Sequence, residues 1–342
     1  MRGSGILSLT RQCVPGRFDN ENEREYHPGI LKSDADMSPD AKMPSKSASS
    51  TRLRGDALSV GYEDRVVLAE VDFSLPDGSM TVLLGPNGSG KSTLLKTLAR
   101  TLAPRSGKVL LDGSDIHRQP TKTVAQHLGI LPQSPSAPDG LTVRELVGLG
   151  RFPYQSLMRQ WSRRDEAAVD EAMAVADVTQ FADRPVDALS GGQRQRCWIA
   201  MVLAQETDLL LLDEPTTFLD LKVQVDLLEL LVSLAHERGR TLLVVLHDLN
   251  LAAAYADRLV MMKDGKIVHN GSPDEVFTAA NLKQVFDLDA HVMREPSSAR
   301  PVCVPLRRPA RLSPHPAAPS SAQSSAQSSA EPLEKPSAMS TP

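Results

Sequence analysis

The residues best suited to chemistry lie in GPNGSGKST, Gly85 to Thr93, directly after the apolar run TVLL and directly before the helical LLKTLAR. Strand, glycine-rich loop and helix stand in the order that phosphate binding requires. Gly85, Pro86, Asn87, Gly88, Ser89 and Gly90 form a tight turn whose backbone N–H groups can close around the α- and β-phosphates of a nucleotide. The helix N-terminus behind them favours an anion. Lys91 is placed to reach the β/γ oxygens and the Ser92 hydroxyl to ligate Mg²⁺, with Thr93 beside it in the first helical turn. Nucleoside triphosphate chemistry, with ATP and Mg²⁺, is the reading of this segment.

A second segment, LLLLDEP (Leu209 to Pro215), reads as a buried strand ending in Asp213 and Glu214, 122 positions beyond Lys91. Asp213 at the strand tip is placed to hold Mg²⁺ through water. Glu214 beside it can take a proton from an attacking water as general base. Alone, an Asp-Glu pair after an apolar run is as readily a solvated strand end; downstream of a phosphate loop it acquires a role.

The third segment is LSGGQRQR, Leu189 to Arg196, which resembles the signature of the ABC ATPases. In that family the Ser190 hydroxyl, the amides of Gly191 and Gly192, and Gln193 sit at a helix N-terminus and bind the γ-phosphate held by a second subunit. The physics is that of any helix N-terminus meeting an anion. The same residues also cap a helix, so cap and function share one geometry. The resemblance implies a head-to-tail homodimer with two composite sites.

Four further positions match the family order over about residues 54 to 306. Gln133, in ILPQ, resembles the glutamine that senses Mg²⁺ and γ-phosphate and faces a transmembrane partner. His247, after TLLVVL, resembles the switch histidine. Asp220, in TTFLD, corresponds to the aspartate that crosses the dimer, although Thr-Phe-Leu-Asp replaces a smaller-residue version. Tyr62, 29 positions before Lys91, is the candidate for stacking on adenine. Their plainer alternatives are a surface loop residue, a strand-end histidine, a helix N-cap and a core aromatic.

LGRFPY (Leu149 to Tyr154), AQETDLLLLDEPTTFLDL (Ala204 to Leu221), VLHDLNLAAAYADRL (Val245 to Leu259) and VCVPL (Val302 to Leu306) resemble the importer ATPases for ferric siderophores, ferric enterobactin above all. Those for haem, cobalamin or other metal chelates are close alternatives. Substrate is implied by likeness alone, since the chelate is not expected to touch this subunit. The likeness implies integral-membrane permease subunits, a periplasmic or lipid-anchored substrate-binding protein as indirect partner, and a peripheral place on the cytoplasmic face of the membrane. ABC ATPases of DNA maintenance interrupt the site with a long coiled coil, whereas only 57 positions separate Gln133 from Ser190 here. A protein with two cassettes needs a second phosphate loop, and 342 residues hold one.

These residues need a scaffold. Apolar runs at Ala57–Val60, Met80–Leu84, Lys108–Leu111, Leu209–Leu212, Thr241–Leu246 and Arg258–Met262 alternate with helical stretches, which argues an α/β domain with a largely parallel sheet. From about Leu141 to Gln205 strand signals stop; one helix follows Thr142 and another opens at Ser162, with Asp165 completing a capping box. The expected fold is the P-loop NTPase ABC nucleotide-binding domain, a RecA-like core with an antiparallel β subdomain and an inserted helical subdomain. Its expected span is 53–290, with a C-terminal strand segment at 291–312. Residues 1–52 and 313–342, the latter with SSAQSSAQSSA, have compositions expected to be disordered, and Met1, Met37 or Met43 could begin the natural chain.

Bulk composition fits this frame. Charged residues are 23%, the net charge is -4 and aromatics are 4%, which gives neither a basic surface nor a stacking platform for nucleic acid. Cys13, Cys197 and Cys303 are scattered, which points to a reducing setting and no thiol metal site. No run approaches the roughly 20 apolar residues of a membrane span, so membrane passage is expected of another chain.

Overall fold

The computed structural model describes residues 51–156 and 161–307. The expectations for residues 1–50 and 308–342, including the three candidate starts, lie outside the described residues. In chain order the elements are β1 (Leu53–Tyr62), β2 (Arg65–Leu75), β3 (Met80–Leu84), α1 (Lys91–Leu98), β4 (Ser106–Leu111), β5 (Ser114–Asp115), α2 (Thr121–Ala125) and β6 (Leu128–Leu131). There follow α3 (Val143–Gly148), a 3-10 segment Leu149–Tyr154, α4 (Arg163–Val175), α5 (Gly191–Ala204), β7 (Leu209–Asp213), α6 (Leu221–His236) and β8 (Thr241–Val245). The chain continues through α7 (Leu249–Tyr255), β9 (Arg258–Lys263), β10 (Lys266–Gly271), α8 (Pro273–Val276), α9 (Ala279–Phe286), β11 (Ala290–Arg294) and β12 (Pro301–Pro305).

The central sheet has six strands in the order β10-β9-β3-β8-β7-β6, all parallel except the antiparallel β10 edge. Both faces are covered, which is why its strands are continuous apolar runs rather than alternations. Successive side chains point to opposite faces. Val82, Leu210, Leu212, Leu242 and Val244 join the core shared with α5, α6 and α7. Leu83, Leu209, Leu211, Leu243 and Val245 join the core shared with Leu94, Leu95 and Leu98 of α1. Each fully buried leucine contributes about 1.5–3 kcal/mol before chain entropy is set against it, so a charged residue at Val244 would break the sheet from within.

A four-stranded antiparallel sheet, β2-β1-β4-β5, packs on the α1 side. The apolar runs showed only part of it. β1 extends well beyond Ala57–Val60, with register shifts on either side of Leu58 and Ala57 at φ 46. β2 was not anticipated, because its apolar residues are interleaved with exposed charged ones. β6, four residues long, and the half-exposed β10 were missed for want of a strong period.

Between β6 and β7 the chain is helical, as the loss of strand signals predicts. Thr142 caps α3 and Ser162 caps α4, each through a reciprocal capping box with Glu145 and Asp165. Leu146, Val147, Val169, Met173, Cys197 and Trp198 continue the core of the central sheet into this subdomain. Two details differ from expectation. The C-terminal strand segment is a pair, with β11 antiparallel to β12. Arg52, grouped by composition with the N-terminal extension, pairs with Asp112 at 2.7 Å and Asp208 at 2.9 Å. Among the described residues no helix is long and apolar enough to cross a membrane.

Candidate functional site

The phosphate loop leaves the C-terminal end of β3 and enters α1. A side chain at Gly85 would place Cβ 2.4 Å from the Met262 carbonyl oxygen, so β9 presses too closely for anything but glycine. Gly90 stands at the N-cap position of α1 with φ 100, a left-handed conformation that glycine adopts without strain. No side chain caps this helix, so its first N–H groups face the loop concavity. Lys91 is buried and folds back, its Nζ donating to the carbonyls of Gly85 at 2.8 Å and Pro86 at 3.2 Å. Burial pulls the Lys91 ammonium below its ordinary range, against the opposing pull of Glu214 and Asp213. The buried Ser89 hydroxyl has no hydrogen-bond partner.

Three neighbouring parallel strands deliver the other groups at the same edge, where ligands bind in open α/β sheets. Gln133 follows β6, Asp213 and Glu214 close β7, and His247 follows β8. The Ser92 hydroxyl donates to Asp213 Oδ1 at 3.0 Å. Burial pushes the Asp213 carboxyl up, partly offset by that hydrogen bond. Glu214 is buried, takes φ 55, and is held from three sides. His247 Nε2 lies 2.5 Å from its Oε1, Gln133 Nε2 donates to its Oε2 at 2.6 Å, and Thr217 Oγ1 donates to the same oxygen at 3.3 Å. Thr217 went unnoticed in the sequence, although the DEPTT run that holds it was in view.

A cavity of about 420 Å³ opens over this cluster, bounded by Asn87, Gly88, Gly90, Lys91, Ser92, Thr93 and Glu214 on one side. On the other side stand Tyr62 at the end of β1, and Arg65 and Val67 of β2. Tyr62 is 47% exposed and therefore not the core aromatic of its plainer reading. Arg65 and Val67 were missed because β2 itself was missed. For Mg²⁺, the Ser92 hydroxyl and the Asp213 carboxylate, already 3.0 Å apart, are hard oxygen donors of the kind that suits the ion, and Gln133, whose amide nitrogen is on Glu214, carries a third such oxygen.

Ser190, Gly191, Gly192 and Gln193 lie elsewhere. Ser190 Oγ accepts the Gln193 N–H at 3.3 Å, and Gln193 Oε1 accepts the Ser190 N–H at 3.1 Å, a reciprocal cap on α5. The four residues line a separate concavity of about 460 Å³ together with Asp220 and the fully exposed Phe218. Asp220 caps α6, its Oδ1 accepting the Val223 N–H at 3.0 Å. The two cavities have no lining residue in common. The structure thus gathers the loop, Asp213, Glu214, Gln133, His247 and Tyr62, and sets the signature residues and Asp220 apart from them.

Comparison with known proteins gives this arrangement a family. Residues 68–217 match the family model described as ABC transporter. The achromobactin transport ATP-binding protein CbrD of Dickeya dadantii is 50% identical over 258 residues, covering 75% of this chain and 96% of that protein. The ferric enterobactin transport ATP-binding protein FepC of Escherichia coli is 49% identical over 259 residues, covering 76% and 96%. Among solved structures, a dimeric ATP-binding cassette in a post-hydrolysis state with ADP and phosphate bound superposes with a TM-score of 0.58 at 29% identity, covering 64% of this chain and 98% of that one. With about half of the aligned residues identical over nearly the whole length of such relatives, the chain belongs to the ATP-binding proteins of ABC transporters.

Proposed function

We propose that this protein is the ATP-hydrolysing subunit of an ABC importer, that two copies act head to tail, and that hydrolysis drives uptake of a ferric siderophore through a separate membrane permease. The observation that carries the reading is the division of phosphate-binding groups between two cavities on one chain. Lys91 and the loop amides make one half of a site, and the open cap at Ser190 makes the other. Head-to-tail pairing of two copies sets each Ser190 against the other copy's loop, so both halves are completed twice.

Within one composite site we assign the roles from the family likeness together with the contacts described above. Tyr62 stacks on the adenine while the loop amides and Lys91 hold the phosphates. Glu214 takes the proton of the water that attacks the γ-phosphorus, and His247 and Gln133 hold that carboxylate in place through the contacts at 2.5 and 2.6 Å. Ser92, Asp213 and Gln133 are the residues that would hold Mg²⁺; when bound, the ion neutralises charge on the β- and γ-oxygens. The Ser190 hydroxyl and the Gly191 and Gly192 amides stabilise the same charge from the partner side. Asp220 lies beside them in the same concavity and crosses toward the partner. Gln133 faces the permease, so closure of the dimer is felt in the membrane, and the subunit sits peripherally on its cytoplasmic side. A substrate-binding protein delivers the chelate from the other side.

The siderophore assignment rests on the relatives' own substrates, achromobactin and ferric enterobactin. Deletion of the gene should abolish uptake of labelled ferric siderophore under iron limitation, and an integral-membrane permease should co-purify with the chain. Intact siderophore uptake with lost haem or cobalamin uptake would reassign the cargo. Intact uptake of all three would sink the importer reading.

A further inference from the structure

The 3-10 segment between α3 and α4 carries an arginine that the catalytic cluster does not use. Arg151 is 0% exposed, an unusual position for a guanidinium. Its Nε donates to Asp165 Oδ1 at 2.9 Å, and its Nη1 to the Ala204 carbonyl at 2.6 Å and Glu206 Oε2 at 2.8 Å. The Tyr154 ring lies 4.1 Å from the guanidinium carbon, and Nη2 is buried without a partner. A buried ion pair is a poor source of stability, since apolar side chains of like volume often do as well or better. What this cluster provides is geometry.

Two partners of Arg151 stand at the ends of helices. Asp165 closes the capping box at the start of α4, accepting also from Ser162. Ala204 is the last residue of α5, whose first turn holds Gly191 and Gly192. At the same junction Tyr154 Oη donates to the Gln205 carbonyl at 2.9 Å, and Gln205 Nε2 donates to the Leu128 carbonyl at 3.2 Å. Leu128 opens β6, which ends two residues before Gln133. Gly150 brings the segment so close to α5 that a Cβ there would lie 2.1 Å from the Met201 carbonyl oxygen.

We propose that Arg151 is a positioning residue: it pins the C-terminal end of α5 to the start of α4, at the junction that Gln205 ties to β6, and thereby sets the angle at which Ser190 is presented to nucleotide on the partner copy. The proposal rests on the phosphate-binding reading of Ser190 given above. α5 has 14 residues, so at 1.5 Å per residue it is about 21 Å long, and a tilt of about 5° at Ala204 displaces Ser190 by about 2 Å. A misplacement of that size at a reacting centre costs on the order of 100-fold in rate.

Arg151→Met and Arg151→Lys in the full-length chain test this. Titration with a fluorescent ATP analogue should change less than about twofold, because one subunit's loop is untouched, while kcat falls roughly 10- to 100-fold at near-constant KM. ATP-trapped dimer in a Glu214→Gln background should fall in parallel, and Arg151→Lys should recover part of both, since it keeps the charge facing Asp165. Arg151→Met with Asp165→Asn removes the two facing charges, keeps an acceptor for the Ser162 N–H, and restores folding where the single variant is unstable; thermal stability should return in that pair and kcat should not. Wild-type kcat in Arg151→Met, or recovery of kcat together with stability in the double variant, would overturn the proposal. Ser190→Arg serves as the separate control: full turnover in that variant would remove the head-to-tail reading itself, whatever Arg151 does.

Discussion

Two helix N-termini in this molecule carry the proposed phosphate contacts, and they are built differently. α1 starts from a left-handed Gly90, has no side-chain cap, and is preceded by a loop that buries its lysine against its own carbonyls. α5 starts from an exposed Ser190 and is capped on itself by Gln193. The first leaves its amides to be satisfied by a ligand within an enclosing pocket. The second has its Ser190 and Gln193 N–H groups paired, leaves the Gly191 and Gly192 amides facing an open concavity, and so adds charge stabilisation only to a phosphate brought to it. The loop should therefore govern affinity and the signature should govern rate.

The largest test of that division is Glu214→Gln. It removes the base beside the loop and should lower kcat by about 10²- to 10⁴-fold while ATP still binds; normal turnover would contradict the assignment. Next, Ser190→Arg fills the open cap and should lower kcat by about 10²- to 10³-fold, again with little change in single-subunit ATP affinity. A matching loss of affinity would erase the distinction between the two termini. Lys91→Ala should act the other way, weakening ATP binding by about 10- to 100-fold for a lost charge-assisted contact of roughly 1.5–3 kcal/mol, as equilibrium titration will read. Tyr62→Ala should weaken ATP binding by only about fivefold, the low end for a base–aromatic stack because the ring is half exposed; unchanged affinity in an equilibrium titration would remove the stacking role.

The smallest effect concerns the scaffold behind the signature. Burial opposes the charge of Asp165, but hydrogen bonds from Ser162 and Arg151 outweigh it and hold the carboxyl below the ordinary range. A depressed carboxyl contributes stability that is complete above the ordinary value near pH 4 and is lost as pH falls through the folded value. The thermal midpoint of the wild type should therefore drop more steeply below about pH 4 than that of Asp165→Asn. Parallel profiles would show that the pair contributes nothing to stability.

The loop was legible because backbone geometry and charge leave few residue types able to serve there, Asp213 and Glu214 because they close an apolar run downstream of it, and the signature through family likeness. Gln133 and His247 were legible only through family order, since a glutamine after a short strand and a histidine after a long one carry no period of their own. Their meeting at Glu214 needed the strand order β8-β7-β6, which nothing local in the sequence encodes. β2 was opaque because its interleaved charges blur the apolar period, and with it Arg65 and Val67 were lost. Arg151 was visible only as part of LGRFPY. Its burial depends on Asp165 of α4, Ala204 at the end of α5 and Glu206 in the turn that follows.

Gln133, Glu214 and His247 hang from consecutive strands of one sheet, and the spacing of about 4.8 Å between hydrogen-bonded strands acts as a ruler for their separation. A ruler built into the backbone fails by slippage: a shift of one residue in any of the three strands would carry its end about 3.3 Å along the sheet and part the cluster with every side chain intact.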